Sequence, residues 1–171
     1  MSGRVFSFAL FGALAGALSA ATVSLAADLL IYFGPGFIFG AVFAPLLVRR
    51  KQMPPLRAIA WLACSALAYT IAVMCVLVLI RRLEDLLAMR ETSAIALSGL
   101  AAGTLGGGLL AVATRLLIAD TRWLIPTAVG AVLGLALLLL DEPMSFGTFA
   151  FYIIWQGGYA VALALALPSR Q

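Results

Sequence analysis

Gln156 carries the one side-chain amide that falls near the middle of a long apolar run, with Trp155 before it and Gly157, Gly158 and Tyr159 after it. Ser65, Tyr69 and Thr70 occupy a comparable depth in an earlier run, and Thr22 and Thr104 lie on two others. Amides, hydroxyls and aromatic rings can hold a neutral or weakly polar molecule by hydrogen bonding and contact, the chemistry of a concave, mostly apolar pocket. The residues therefore predict a small midplane cavity built from Gln156, Tyr159, Trp155, Ser65, Tyr69 and Thr70. The alternative is that these groups only bond neighbouring helices, each bond contributing about 0.6 kcal/mol on average.

Reactive chemistry has little to work with. The chain has no histidine and only two cysteines, which argues against metal-ligand clusters and imidazole acid–base catalysis. It contains no GxSxG, no phosphate-binding GxxxxGK loop, no HExxH and no carboxylate pair within an apolar run. No catalytic residue, metal ligand or cofactor is assigned, and the chain is expected not to be an enzyme. Cys64 and Cys75 stand eleven residues apart on one expected helix. That separation is about 16 Å along the axis, too far for a disulfide.

The elements that must position these groups follow from composition. Hydrophobic residues make up 64% of the 171 residues and charged ones 11%, with a mean hydropathy of +1.14. A soluble domain carries roughly 25% charged residues, so lipid is the solvent expected here. A spanning helix needs about 20 apolar residues. Candidate spans are residues 5–27, a short second span from the Gly34-Pro35-Gly36 break to the Arg49-Arg50-Lys51 cluster, and 56–80, 94–117, 123–140 and 146–167. The expected fold is an all-α integral membrane protein of about six helices, forming a single polytopic domain over residues 1–171.

Arg4, Arg49, Arg50, Lys51, Arg57, Arg115, Arg122 and Arg170 fall on one side of a six-span chain. Asp28, the mixed segment 81–91 and Asp141-Glu142 fall on the other. Lys and Arg collect on the cytoplasmic side, so both termini are expected there. The net charge of +4 follows from this asymmetry and gives no reason to expect a nucleic-acid partner. The basic loop beside the second span is also suited to anionic lipid headgroups. Ten Arg against one Lys fit an arginine-rich bacterial proteome, which makes a bacterial inner membrane the expected location. A competing reading takes the first run and Ser24-Leu25-Ala26 as a secretory signal with its cleavage site, although the run is longer than a usual signal core.

Residues 8–18 and 95–105 align so that Ala9, Leu10, Gly12, Ala15, Gly16 and Leu18 recur as Ala96, Leu97, Gly99, Ala102, Gly103 and Leu105. This match predicts a 3+3 inverted repeat with halves 1–90 and 91–171, a plan found in transporters. Ala, Leu and Gly dominate both windows, so common composition explains it too. Pro45 and the run Gly106, Gly107 and Gly108 are expected helix breaks, with tight helix packing as the plainer alternative. The segment from Leu29 to Phe33 is expected along the membrane interface, and residues 81–90 as a short amphipathic extension on the outer surface. The GxxxG pairs Gly12/Gly16 and Gly99/Gly103 are expected to serve packing within the chain.

Two functions compete. One is a transporter or channel-like carrier of a small neutral or weakly polar solute, expected not to be proton-coupled because no carboxylate lies at depth, and able to act as a homodimer. The other is a non-catalytic membrane subunit, or a structural or assembly protein, with partner subunits in a larger complex. Here the run Gly34-Pro35-Gly36-Phe37-Ile38-Phe39-Gly40 resembles substrate-binding components of energy-coupling-factor vitamin transporters. The resemblance covers those seven residues and the overall length. It implies a six-span protein whose first helix docks a partner through small residues such as Ala13 and Ala17.

Overall fold

The structure is a computed structural model that describes residues 3–25, 28–87, 90–140 and 145–168. Ala26 of the signal-like site, the pair Asp141 and Glu142, Arg170, and the side chains of Asp28, Leu29, Leu86 and Leu87 lie outside the described residues. Among the described residues six α-helices run in order: α1 (Gly3–Leu25), α2 (Asp28–Arg49), α3 (Pro55–Leu87), α4 (Glu91–Leu117), α5 (Leu124–Gly134) and α6 (Phe146–Ala166). A 3-10 segment, Leu135–Leu139, continues α5. No strand occurs among the described residues.

Each helix packs against its neighbour in sequence, and α6 returns to α1, so the six close into a ring. Arg4 Nη1 donates to the Pro168 carbonyl at 3.1 Å, which puts the two ends of the described chain at one end of the ring, here the termini end. The opposite end is the far end. Five helices are long and apolar enough to cross a membrane, and the unit of α5 and its 3-10 continuation is shorter. This architecture fits a multi-pass helical membrane protein.

The burial pattern explains how such apolar helices choose a face. On α1, Leu10, Leu14 and Leu18 point outward at 59%, 51% and 47% exposure, while Gly12, Ala15, Gly16 and Ser19 are buried. Residues four apart share a helix face, so the chain puts large side chains outside and small ones at the interface. Lipid is as apolar as leucine, which leaves close backbone approach to drive association. A Cβ on Gly12 would sit 2.6 Å from the Ala160 Cβ, and one on Gly16 would collide with the Tyr152 carbonyl.

Local signals set several boundaries. The Ser145 side chain accepts a bond from the Thr148 N–H at 3.0 Å and caps α6. Pro55 opens α3 and Pro126 lies in the first turn of α5, where a missing N–H does no harm. After α2, Lys51 takes φ 53°, the Gln52 N–H reaches the Leu47 carbonyl and the Lys51 N–H reaches that of Val48. This pair of bonds is the Schellman closure, with lysine at the position glycine usually holds.

Several expectations need correction. Gly34-Pro35-Gly36 does not break the chain, and Leu29 to Phe33 is not an interfacial linker. α2 runs unbroken through both, and through Pro45, for 22 residues. Gly36 is a notch for α3: a Cβ there would lie 2.5 Å from that of Tyr69. Gly106, Gly107 and Gly108 are likewise not breaks. α4 continues through them, because Gly106 seats Ala72 of α3 and Gly107 lies against Gly130 of α5. Residues 81–87 belong to the uninterrupted 33-residue α3 rather than to a separate surface helix.

The inverted repeat gains no support. Gly12 and Gly16 face α6, whereas their aligned partners Gly99 and Gly103 face α5 at Gly134 and Gly130. A strict repeat would set Gly99 and Gly103 against α3, so the matched glycines do different packing jobs. The GxxxG pairs do serve packing within the chain, and Ala13 lies under Gly157 of α6.

Candidate functional site

A half-open cavity of about 220 Å³ lies in the far half of the ring, lined by several helices. Helix α3 contributes Tyr69, Ala72, Val73 and Val76, which recur at the three- and four-residue spacing of one helix face. Helix α6 contributes Phe151, Tyr152 and Trp155, and α4 contributes Gly99, Ala102 and Gly103. Gly134, Leu137 and Leu140 close the α5 side. No lining residue is charged.

Two features of the sequence leave this space unfilled. The α4 face is glycine and alanine because it must seat against Gly130 and Gly134, so it projects almost nothing into the ring. The α5 unit is also short: 11 α-helical and 5 3-10 residues reach about 26 Å, against the roughly 30 Å of a hydrocarbon core. The 3-10 segment stretches this element, since its rise per residue is about 2.0 Å rather than 1.5 Å. It presents a run of five residues, of which none is buried.

Aromatic groups organise the cavity and close it below. The Tyr69 and Tyr152 hydroxyls share a hydrogen bond of 2.9 Å between α3 and α6. The Tyr69 ring stands edge-on to Trp155 at 6.0 Å, and Trp155 stacks over Tyr159 at 6.5 Å. Tyr159 donates to the Gly107 carbonyl at 2.8 Å and meets Phe39 edge-on. From there Phe39, Phe43 and Phe8 form a continuous column, and the Arg50 guanidinium caps Phe8 at 5.6 Å. Beside that column the Trp61 indole N–H donates to Thr114 Oγ1 at 2.9 Å. The termini end is therefore plugged by packed rings. A cleft of about 20 Å³ remains between cavity and plug, room for about one water.

The six residues expected to share a cavity are divided. Tyr69 and Trp155 line the main cavity, while Ser65 and Tyr159 line only the small cleft beneath it. Ser65 donates to the Gly36 carbonyl at 2.8 Å. Gln156 is fully buried between helices: its Nε2 donates to Ser19 Oγ of α1 at 2.8 Å and to the Pro35 carbonyl of α2 at 3.2 Å. It lines neither space. Thr70, Thr22 and Thr104 each bond a carbonyl of their own helix, at Ala66, Leu18 and Leu100. They are satisfied locally and bring nothing to the cavity.

Tyr152, Phe151 and the small residues of α4 were the missed part. A signal for Tyr152 was present, because Tyr152, Trp155 and Tyr159 recur at i, i+3 and i+7 on α6. No group of three or more metal-ligating side chains occurs among the described residues. Cys64 and Cys75 are both free thiols.

Comparisons with known proteins return nothing to lean on: no protein family, no curated protein and no solved structure matches the chain.

Proposed function

We propose that this protein is a non-catalytic membrane carrier that takes a small neutral or weakly polar solute into the far-end cavity. The observation that supports this most is the uncharged, half-open space of about 220 Å³, framed by three interlocked aromatic side chains, Tyr69, Tyr152 and Trp155. A structural protein gains nothing from leaving such a volume empty, since close packing is what holds membrane helices together. The basic collar at the termini end argues for a cytoplasmic placement of both termini, so the cavity would face the opposite side. The aromatic plug means that passage requires the helices to rearrange.

A second reading, a subunit working with partner proteins, is favoured by that same plug. The spans hold no carboxylate at depth to couple an ion gradient, so a partner would have to drive the opening.

Purified protein in liposomes tests the first reading. Uptake of small neutral solutes, lost in Val76→Phe where a ring fills the cavity, is the expected result. Silence across a broad panel, together with stable co-purification of other membrane subunits in mild detergent, would transfer the case to the second.

A further inference from the structure

We propose that the guest of the far-end cavity is a planar, neutral molecule of about bicyclic size bearing one hydrogen-bond acceptor, a carbonyl oxygen being the simplest. The proposal rests on reading that cavity as a binding site and adds the chemical class of what enters it.

Shape comes first. Ala72, Gly99, Ala102, Gly103 and Gly134 line the cavity with a methyl group or with bare backbone. Tyr69, Phe151, Tyr152 and Trp155 line it with rings. The rings and the bare backbone offer flat patches, set among the branched side chains of Ile31, Val73, Val76, Leu77, Leu137 and Leu140, and a flat molecule contacts such patches over its whole face. The rings are held by each other, Phe151 and Tyr152 edge-on at 4.8 Å and Tyr69 and Trp155 edge-on at 6.0 Å. A guest therefore meets a site that is already ordered, which lowers the entropy lost on binding. Size agrees: an apolar cavity of about 150 Å³ holds benzene, so about 220 Å³ admits a second small ring or a substituent.

Polarity supplies the acceptor. Two tyrosine hydroxyls carry two O–H groups, and the single bond between Tyr69 and Tyr152 uses one of them. The other O–H has no protein partner among the described residues. Tyr69 is 7% exposed and Tyr152 3%, and both line the cavity. A buried hydroxyl proton without an acceptor is unfavourable, and a guest carbonyl would complete the pair. A lipid acyl chain has the right apolarity but no acceptor, and it is not flat. The uncharged lining excludes an ion, whose burial without a counter-charge is far more unfavourable.

Equilibrium dialysis between nanodiscs that carry the protein and empty nanodiscs tests this, with the empty discs correcting for partition into lipid. Three probes separate the features: coumarin is planar with a lactone carbonyl, octahydrocoumarin keeps the lactone but is puckered, and naphthalene is planar with no acceptor. Coumarin should be retained most strongly, with octahydrocoumarin about tenfold weaker. The double variant Tyr69→Phe with Tyr152→Phe should weaken coumarin by about two- to tenfold and leave naphthalene unchanged, which also reports that the cavity is intact. Val76→Phe should abolish retention of all three. Equal binding of coumarin and octahydrocoumarin would overturn the planar class, and full coumarin affinity in the double variant would overturn the acceptor. Both results leave the cavity a binding site. Retention of no probe, or retention undiminished in Val76→Phe, would overturn the binding site itself.

Discussion

Gln156, expected either in a cavity or in bonds between helices, makes the bonds between helices. Its amide sits at mid-depth, but it ties α1, α2 and α6 together through Ser19 and the Pro35 carbonyl, away from the cavity. Gln156→Leu should therefore lower stability by about 1–2 kcal/mol, from two interhelical bonds lost and two polar groups left unpaired. Denaturation in mixed micelles measures that loss. Guest affinity should stay within about twofold, a ratio that corresponds to well under 1 kcal/mol. A large loss of affinity with unchanged stability would instead return Gln156 to the binding site. Tyr69 and Tyr152 are expected to behave in the opposite way, since their hydroxyls face the cavity and pair only with each other.

At the scale of elements, the contact between α1 and α6 is governed by which glycine faces what. A methyl on Gly12 would lie 2.6 Å from the Ala160 Cβ and 2.7 Å from the Gln156 carbonyl, so Gly12→Ala must push the helices apart. The expected loss is about 1–3 kcal/mol. Gly157 is across the same interface, and a methyl there would meet the Ala13 backbone no closer than 3.6 Å, an ordinary contact. Gly157→Ala should be neutral or stabilising by up to about 1 kcal/mol, the helix propensity gained. Thermal unfolding of the two variants side by side checks the contrast. The Gly34-Pro35-Gly36 run of α2 belongs to the same class of device. Pro35 removes the donor that the Ile31 carbonyl would have used, and tight packing against α3 keeps the helix intact around it.

For the whole molecule, the arrangement of charge is the main consequence. Arg4, Arg49, Arg50, Lys51, Arg57, Arg115 and Arg122 gather at the termini end with one acidic residue, Asp120. Several serve the fold there: Arg57 donates to the Leu117 carbonyl at the close of α4, and Arg115 reaches that of Thr121. Cations at helix C-termini are favourable for the exposed carbonyls and the helix dipole. By the positive-inside tendency, compartment reporters fused at either terminus should both read cytoplasmic. Reporters that place the two ends in different compartments would contradict the ring itself, since Arg4 and Pro168 are in contact.

Much of this molecule was legible from composition and run length alone. Apolar stretches of span length dictate helices, because a helix pairs its own backbone groups where lipid offers no partner, and the boundaries of α1, α4 and α6 came close to those expected. Glycine and proline were harder to interpret. In isolation they read as breaks at Pro35, Pro45 and Gly106, yet the helices run through all three, and at Gly36 and Gly106 the missing side chain is the surface on which a neighbouring helix closes. Which of the mid-depth polar groups would face a cavity was likewise beyond a single helix to say. Gln156 and Trp155 are neighbours on α6, and their fates differ because the roughly 100° between successive residues turns one toward α1 and α2 and the other toward the open interior. Hydropathy assigns a side chain to a run fit to span a membrane. Only the azimuth of each helix against its neighbours decides what it touches there.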